Sequence, residues 1–192
     1  MVYIDIETLA DRFPQASSSL NRKKQVSHRL ESDEQKAAFK KIERLVKVRD
    51  RSVCETRKRL EQDGFASKDA DAAIARALSV GYLDDARFAD VLVRSRLRAG
   101  KGIAGIVREL RNHAIDPYEV LWGFPDEYLS LVPSQEDAAF TLLCRKPPRA
   151  KNLKQAAYAK LIRSGYSSAV AAEAGKRWYE SREKPGQQPV VR

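Results

Sequence analysis

Residues 84–115, DDARFADVLVRSRLRAGKGIAGIVRELRNHAI, contain the pattern that decides the fold. Asp84 is a good helix-capping residue. The apolar residues after it recur on one face of a helix, at Phe88, Ala89, Leu92 and Val93. A second amphipathic helix is predicted from about Gly102, with its apolar stripe at Ile103, Ile106, Val107 and Leu110. The stretch therefore predicts two helices joined by a short glycine-containing turn.

This helical pair belongs to a repeat that runs through most of the chain. Leu60, Leu110 and Leu161 lie 50 and 51 positions apart, and they follow Phe39, Phe88 and Phe140 by 21 or 22 positions. After each leucine, three residues intervene before a small residue and then an apolar residue, as Gly64-Phe65, Ala114-Ile115 and Gly165-Tyr166. A near-constant period of this size predicts three copies of one supersecondary unit.

A third helix completes each predicted copy. In the first copy it begins at Ser67, and its expected buried residues are Ala70, Ile74, Ala77 and Leu78. In the second copy Asp116-Pro117 begins it, although a glycine and a proline further on weaken or interrupt it. In the third copy, Ser134 caps the first helix and the last helix begins near Ser168. The two tryptophans, Trp122 and Trp178, are expected in the core.

These patterns predict an all-α protein, an elongated curved array of three tandem three-helix repeats. No segment shows sustained alternation of period two, so no sheet is expected. The predicted organisation is a loosely ordered N-terminal extension at 1–34, repeats at 35–81, 82–132 and 133–182, and a disordered tail at 183–192. A monomer is expected.

The 192-residue chain has a formal net charge of +10, which favours a polyanionic partner, nucleic acid before a membrane surface. Cys54 and Cys144 are far apart and have no second Cys or His at ligand spacing, so reduced thiols are expected. The amino terminus lacks a signal-peptide pattern, and no stretch approaches the ~20 apolar residues of a membrane span. We therefore expect a cytoplasmic protein with no membrane partner.

The charge alternates along the chain in phase with the repeat. Residues 39–60, 94–111 and 145–163 carry net charges of +6, +5 and +7, whereas residues 61–93 and 112–144 carry −4 and −6. Stacked in register, the basic segments would form one stripe suited to a polyphosphate backbone or an acidic groove in a protein partner. Alternatively, they are only solvated helix faces. The residues that we assign to this basic stripe are Arg49, Arg57, Arg94, Arg98, Lys101, Arg108, Arg145, Arg149 and Lys154.

No catalytic constellation is evident in the sequence. The segment Gly100–Gly105 satisfies the dinucleotide-binding pattern G-x-G-x-x-G, but a basic helix precedes it where that fingerprint needs a strand. His28 and His113 are isolated histidines, and Asp84-Asp85 is better explained by helix capping than by paired-carboxylate chemistry. We therefore expect a protein that is not an enzyme and that uses no metal or cofactor.

One ordered set of residues in the centre of the chain is specific to a family. It consists of Gly81-Tyr82-Leu83-Asp84-Asp85-Ala86-Arg87-Phe88-Ala89, then Arg94, Arg96, Gly100, Ile103 and Arg108-Glu109-Leu110, preceded by Arg49, Ser52, Glu55, Leu60 and Gly64-Phe65. In this order and at these spacings, the residues resemble the RecX family, from about Gln35 to about Arg182. Ala114 departs from the family pattern, which usually has glycine there. Trp122-Gly123-Phe124-Pro125 also departs from it, since it breaks a helix that would ordinarily continue.

The resemblance implies a regulator that binds the filament of the RecA recombinase and limits its growth. ATP hydrolysis, strand exchange and co-protease activity would fall as a result, which would place the protein in DNA repair and the SOS response. A helical DNA-binding module or transcription regulator with no recombinase partner is the alternative, although it predicts one recognition helix in place of three basic segments. An enzyme acting on nucleic acid would need clustered carboxylates or histidines, and the alternating charge disfavours a scaffold without nucleic acid.

Overall fold

The structure is a computed structural model that describes residues 32–183. Every regular element in this range is a helix, which confirms the all-α prediction. The helices of this range are α1 (Asp33–Val46), α2 (Val53–Gln62), α3 (Ser67–Ser79), α4 (Asp85–Arg98), α5 (Ile103–Asn112), α6 (Pro117–Val120), α7 (Asp126–Ser130), α8 (Gln135–Arg145), α9 (Leu153–Arg163) and α10 (Ser168–Glu183). The predicted N-terminal extension and C-terminal tail lie almost entirely outside the described residues.

Side-chain caps begin the first helix of every repeat. Ser32 forms a capping box with Gln35 ahead of α1. Asp84 accepts a hydrogen bond from a backbone N–H in the first turn of α4, and Ser134 accepts one from the backbone N–H of Asp137 at 3.1 Å. These contacts satisfy donors that a helix leaves free at its N-terminus. The caps predicted at Asp84 and Ser134 are therefore confirmed.

The second helix of each repeat ends in the same turn. The backbone N–H groups of Phe65, Ile115 and Tyr166 donate to the carbonyls of Leu60, Leu110 and Leu161, at 3.1 Å in each case. The residue before each donor has a positive φ, 89° at Gly64, 59° at Ala114 and 90° at Gly165. This left-handed turn is a common way to end a helix. It explains why a small residue recurs four positions after each repeat leucine.

Each repeat has its own hydrophobic core. Leu60, Leu110 and Leu161 are fully buried, one in each of three separate clusters. The three phenylalanines used to align the repeats are buried in the same clusters. Full burial of a leucine contributes roughly 1.5–3 kcal/mol, so each repeat is stabilised mainly by residues that it supplies itself.

Two burial predictions are wrong. Trp122 is 83% exposed and not in the core, because the break at Gly123 leaves it in the turn between α6 and α7. Leu78 is 45% exposed, because the buried face of α3 is centred on Ala70 and Ala77 and Leu78 lies one residue further round the helix. Trp178 is buried as predicted, at 2% exposure.

None of the helices in residues 32–183 is long and apolar enough to cross a bilayer.

Candidate partner-binding surface

The junction between the first and second repeats brings together residues of the RecX-like motif. The backbone N–H of Val53, at the start of α2, donates to the Asp85 carboxylate at 2.9 Å. Ser52 and the Nδ1 atom of His113, at the end of α5, share a hydrogen bond of 2.9 Å. These bonds span 32 and 61 positions of the chain. The motif therefore holds two repeats together.

Asp84 caps α4 and Asp85 lies in its first turn, as the helix-start interpretation of the pair expects, and the Asp85 carboxylate also joins the two repeats. Burial raises the pKa of Asp85, and the neighbouring charge of Asp84 raises it further, while the hydrogen bond from Val53 acts in the opposite direction. The Asp85 carboxylate thus satisfies a backbone N–H in the first turn of α2, beside the one that Ser52 caps.

The Ser52–His113 pair has the reach of a nucleophile and its base, but its surroundings are structural. Ser52 is fully buried, and its Oγ also accepts a hydrogen bond from the backbone N–H of Glu55 at 3.1 Å, which caps α2. The ring of His113 packs against Phe88 at a centroid distance of 5.0 Å. A nucleophile must reach its substrate, and the buried Ser52 hydroxyl has no such access. The pair therefore stabilises the junction between the repeats.

A groove of about 570 Å³ opens beside this junction. Arg49 pairs with Glu55 on one side of it. On the other side, Arg96 holds Glu109 through Nε at 3.0 Å and Nη2 at 2.6 Å, and the hydrogen bond from Arg96 lowers the pKa of Glu109. Because these arginines and glutamates already have partners, the groove offers little free charge to a ligand.

The second and third repeats meet through glycine backbones. The N–H of Gly105 donates to the carbonyl of Gly165 at 2.9 Å, and the N–H of Gly102 donates to the carbonyl of Ser164 at 3.1 Å. A Cβ at Gly105 would lie 2.6 Å from the Cα of Gly165. The glycines of the G-x-G-x-x-G segment therefore permit two repeats to touch, a role beyond the tight turn that the sequence indicated.

Five of the nine basic-stripe residues have partners inside the chain. Arg49 pairs with Glu55, Arg57 with Asp71, Arg94 with Asp90 and Lys101 with Glu109. Lys154 lies over the ring of Tyr179 at 4.3 Å. The remaining four are exposed and form no ion pair within residues 32–183, namely Arg98, Arg108, Arg145 and Arg149.

The third repeat contains a basic pocket of about 560 Å³ between the α8–α9 loop and α9. We define it by its cationic lining residues, Arg149, Lys160 and Arg163; no carboxylate lines it. Lys160 donates to the carbonyl of Lys146. Burial lowers the pKa of Lys160, and the positive charges of Lys146 and Arg163 lower it further. Lys160 and Arg163 were not assigned to the basic stripe, although the +7 segment that contains them was the available signal.

The described residues thus form a helical repeat protein with joined repeats and a cationic pocket in its third repeat. Residues 84–120 match the family model described as RecX, second three-helix domain. The chain is 36% identical over 80 residues to a regulatory protein RecX of Legionella pneumophila, which covers 42% of this chain and 53% of that protein. It is 38% identical over 68 residues to one of Stenotrophomonas maltophilia, covering 35% and 42%. The resemblance to RecX is therefore confirmed.

The sequence matches to these relatives cover only part of the chain. The chain spans about half the length of the curated relatives it matches. A crystal structure of regulatory protein RecX shares the fold at a TM-score of 0.60 and 18% identity, covering 80% of this chain and 77% of that chain. RecX from Lactobacillus salivarius shares it at 0.58 and 16%, covering 78% and 99%. Both confirm the helical-repeat fold.

Proposed function

We propose that this protein is a regulator that binds the RecA recombinase filament and mainly inhibits its ATP hydrolysis, strand exchange and co-protease activity. The observation behind the proposal is the match of residues 84–120 to a RecX domain, with relatives that are named regulatory proteins. Such an activity needs a binding surface and no catalytic group in the regulator itself. We place it in the cytoplasm, where the recombinase and chromosomal DNA lie.

We further propose that the basic pocket and the unpaired arginines contact phosphates of the filament DNA. A phosphate would offset the positive charges of Arg149, Lys160 and Arg163, because no carboxylate lines the pocket. The stripe residues that already have carboxylate partners would contribute less, because each would have to exchange one anion for another. Three further exposed arginines, Arg98, Arg108 and Arg145, would extend the contact.

The proposal is tested by measuring DNA-dependent ATP hydrolysis of a recombinase filament with the protein present well below the recombinase concentration. We expect inhibition, since blocking filament growth at one place affects many subunits. The triple variant Arg149→Gln, Lys160→Gln and Arg163→Gln should inhibit much less, and its inhibition should depend less on salt. A matched control removes the same charge outside the three basic segments, at Lys36, Lys68 and Lys176, and should inhibit normally.

A plain DNA-binding module is the second candidate, and the basic pocket is the observation that favours it. A measurement of single-stranded DNA binding beside the ATPase assay separates the two. If the unmodified protein binds single-stranded DNA but leaves the ATPase of a compatible recombinase unchanged, the regulator proposal is wrong and the DNA-binding module replaces it. If the pocket variant inhibits as well as the unmodified protein, the pocket has no part in the mechanism.

A further inference from the structure

The turn between α6 and α7, together with the C-terminal end of α7, presents large apolar side chains to solvent. Trp122 is 83% exposed and Leu131 is 67% exposed. Both line a concave site of about 490 Å³, whose other lining residues include Tyr128 and Ser130. Tyr118, in the preceding helix, is a further exposed aromatic residue, at 56%. A cluster of exposed large apolar residues is typical of a protein-binding site. We call Trp122 and Leu131 the apolar patch.

The structure around the apolar patch is held in place by aromatic contacts. The Phe124 ring makes edge contacts with Tyr118 at 5.1 Å and with Tyr128 at 5.7 Å between centroids. The hydroxyl of Tyr128 donates to Asp90 in α4 at 2.7 Å. The turn that presents Trp122 is therefore tied to the core of the second repeat. Exposed tryptophans presented by a fixed backbone are frequent binding hot spots.

The charge around the apolar patch excludes DNA as its partner. Residues 112–144 contain no Lys or Arg and six Asp or Glu, and one of these, Glu127, lines the concave site beside Trp122. Arg94 also lines the site, but Asp90 holds it through two contacts of 2.9 and 3.0 Å, so its charge is compensated. Phosphates would be repelled by this surface. A protein surface with an apolar centre and Lys or Arg at its rim is complementary to it.

We infer that the apolar patch docks on the protein surface of a recombinase subunit, at an apolar site rimmed by lysine or arginine, while the basic pocket faces DNA. This inference rests on the proposed function. It assigns the acidic surroundings of the apolar patch to the recombinase protein, and the basic pocket to the DNA of the filament. The segment that contains the patch, Trp122-Gly123-Phe124-Pro125, is also where this sequence departs from the RecX pattern.

The test compares binding to recombinase filaments on single-stranded DNA with binding to the same DNA alone. Trp122→Ala should weaken filament binding by about tenfold or more, as expected for a central tryptophan. Binding to DNA alone should not change. Trp122→Phe should retain most of the affinity, and Glu127→Lys should weaken filament binding through repulsion of the basic rim. Val48→Ala is the matched control, because Val48 is an apolar residue that is 81% exposed in the first repeat.

The possible outcomes separate this inference from the proposed function. If the unmodified protein does not bind filaments beyond its binding to DNA, the proposed function fails and the docking inference fails with it. If the unmodified protein binds and Trp122→Ala binds equally, only the docking inference is wrong. Sedimentation of both proteins identifies another occupant: a dimer that Trp122→Ala converts to monomer, with unchanged filament affinity, would make the patch a self-association surface and overturn the inference. Circular dichroism should show an unchanged helical fold, since the Trp122 side chain is exposed.

Discussion

Replacing Ala114 by glycine should stabilise the protein. Ala114 has a φ of 59°, and it is the only non-glycine residue with positive φ among residues 32–183. The corresponding residues of the other two repeats, Gly64 and Gly165, are glycines in the same turn. Ala114 is exposed, so removing its methyl group leaves no cavity. The substitution therefore changes the backbone energy of one turn and little else.

The magnitude follows from two opposing effects. The left-handed conformation costs a residue with a Cβ about 1–2 kcal/mol, which glycine does not pay. Glycine loses more backbone entropy on folding, which offsets about 0.5–1 kcal/mol of that gain. The net expectation for Ala114→Gly is a rise of about 0.5–1 kcal/mol in the free energy of unfolding.

Equilibrium denaturation in urea measures this change, and two variants serve as controls. Gly64→Ala should destabilise by about 1 kcal/mol or somewhat more, because the φ of Gly64, 89°, is further from the left-handed minimum than that of Ala114. A new Cβ at Gly64 meets no atom within 4 Å, so the change tests the backbone conformation alone. Ala75→Gly, at an exposed position inside α3, should destabilise by about 0.5–1 kcal/mol. If Ala114→Gly destabilises as much as Ala75→Gly does, Ala114 does not adopt the left-handed conformation.

Three further changes test the core, an ion pair and a repeat junction. Leu110→Ala should lower the free energy of unfolding by roughly 2–5 kcal/mol, as a fully buried leucine requires, and a silent substitution would show that the repeat register is wrong. Because Arg96 lowers the pKa of Glu109 below its usual 4.5, the pair contributes stability above about pH 4.5 that is lost as the pH falls through the folded-state pKa. Denaturation between pH 3 and 6 should therefore show a smaller pH dependence for Glu109→Gln, and an unchanged dependence would exclude the pair as its source. Gly105→Ala should destabilise by more than the few tenths of a kcal/mol typical of surface changes, because its Cβ would lie 2.6 Å from the Cα of Gly165, and normal stability would contradict the close backbone contact.

The sequence by itself determined the secondary structure and the repeat, because both depend on neighbouring residues. Helix caps at Asp84 and Ser134 involve residues three positions apart, and apolar faces recur every three or four positions. The buried leucines Leu60, Leu110 and Leu161 could be identified from their common period. The break after Trp122 could also be predicted, since glycine and proline interrupt helices locally.

Only the tertiary structure decided which charges are free and which residues join the repeats. Charge and period could select Arg57 and Arg94 for the basic stripe. They could not reveal that Arg57 pairs with Asp71 and Arg94 with Asp90. The junction bond between Val53 and Asp85 spans 32 positions, and that between Ser52 and His113 spans 61, so no local pattern signals either. The exposure of Trp122 likewise depends on how the broken third helix packs. Such contacts are set by the relative placement of helices, which capping and periodicity do not specify.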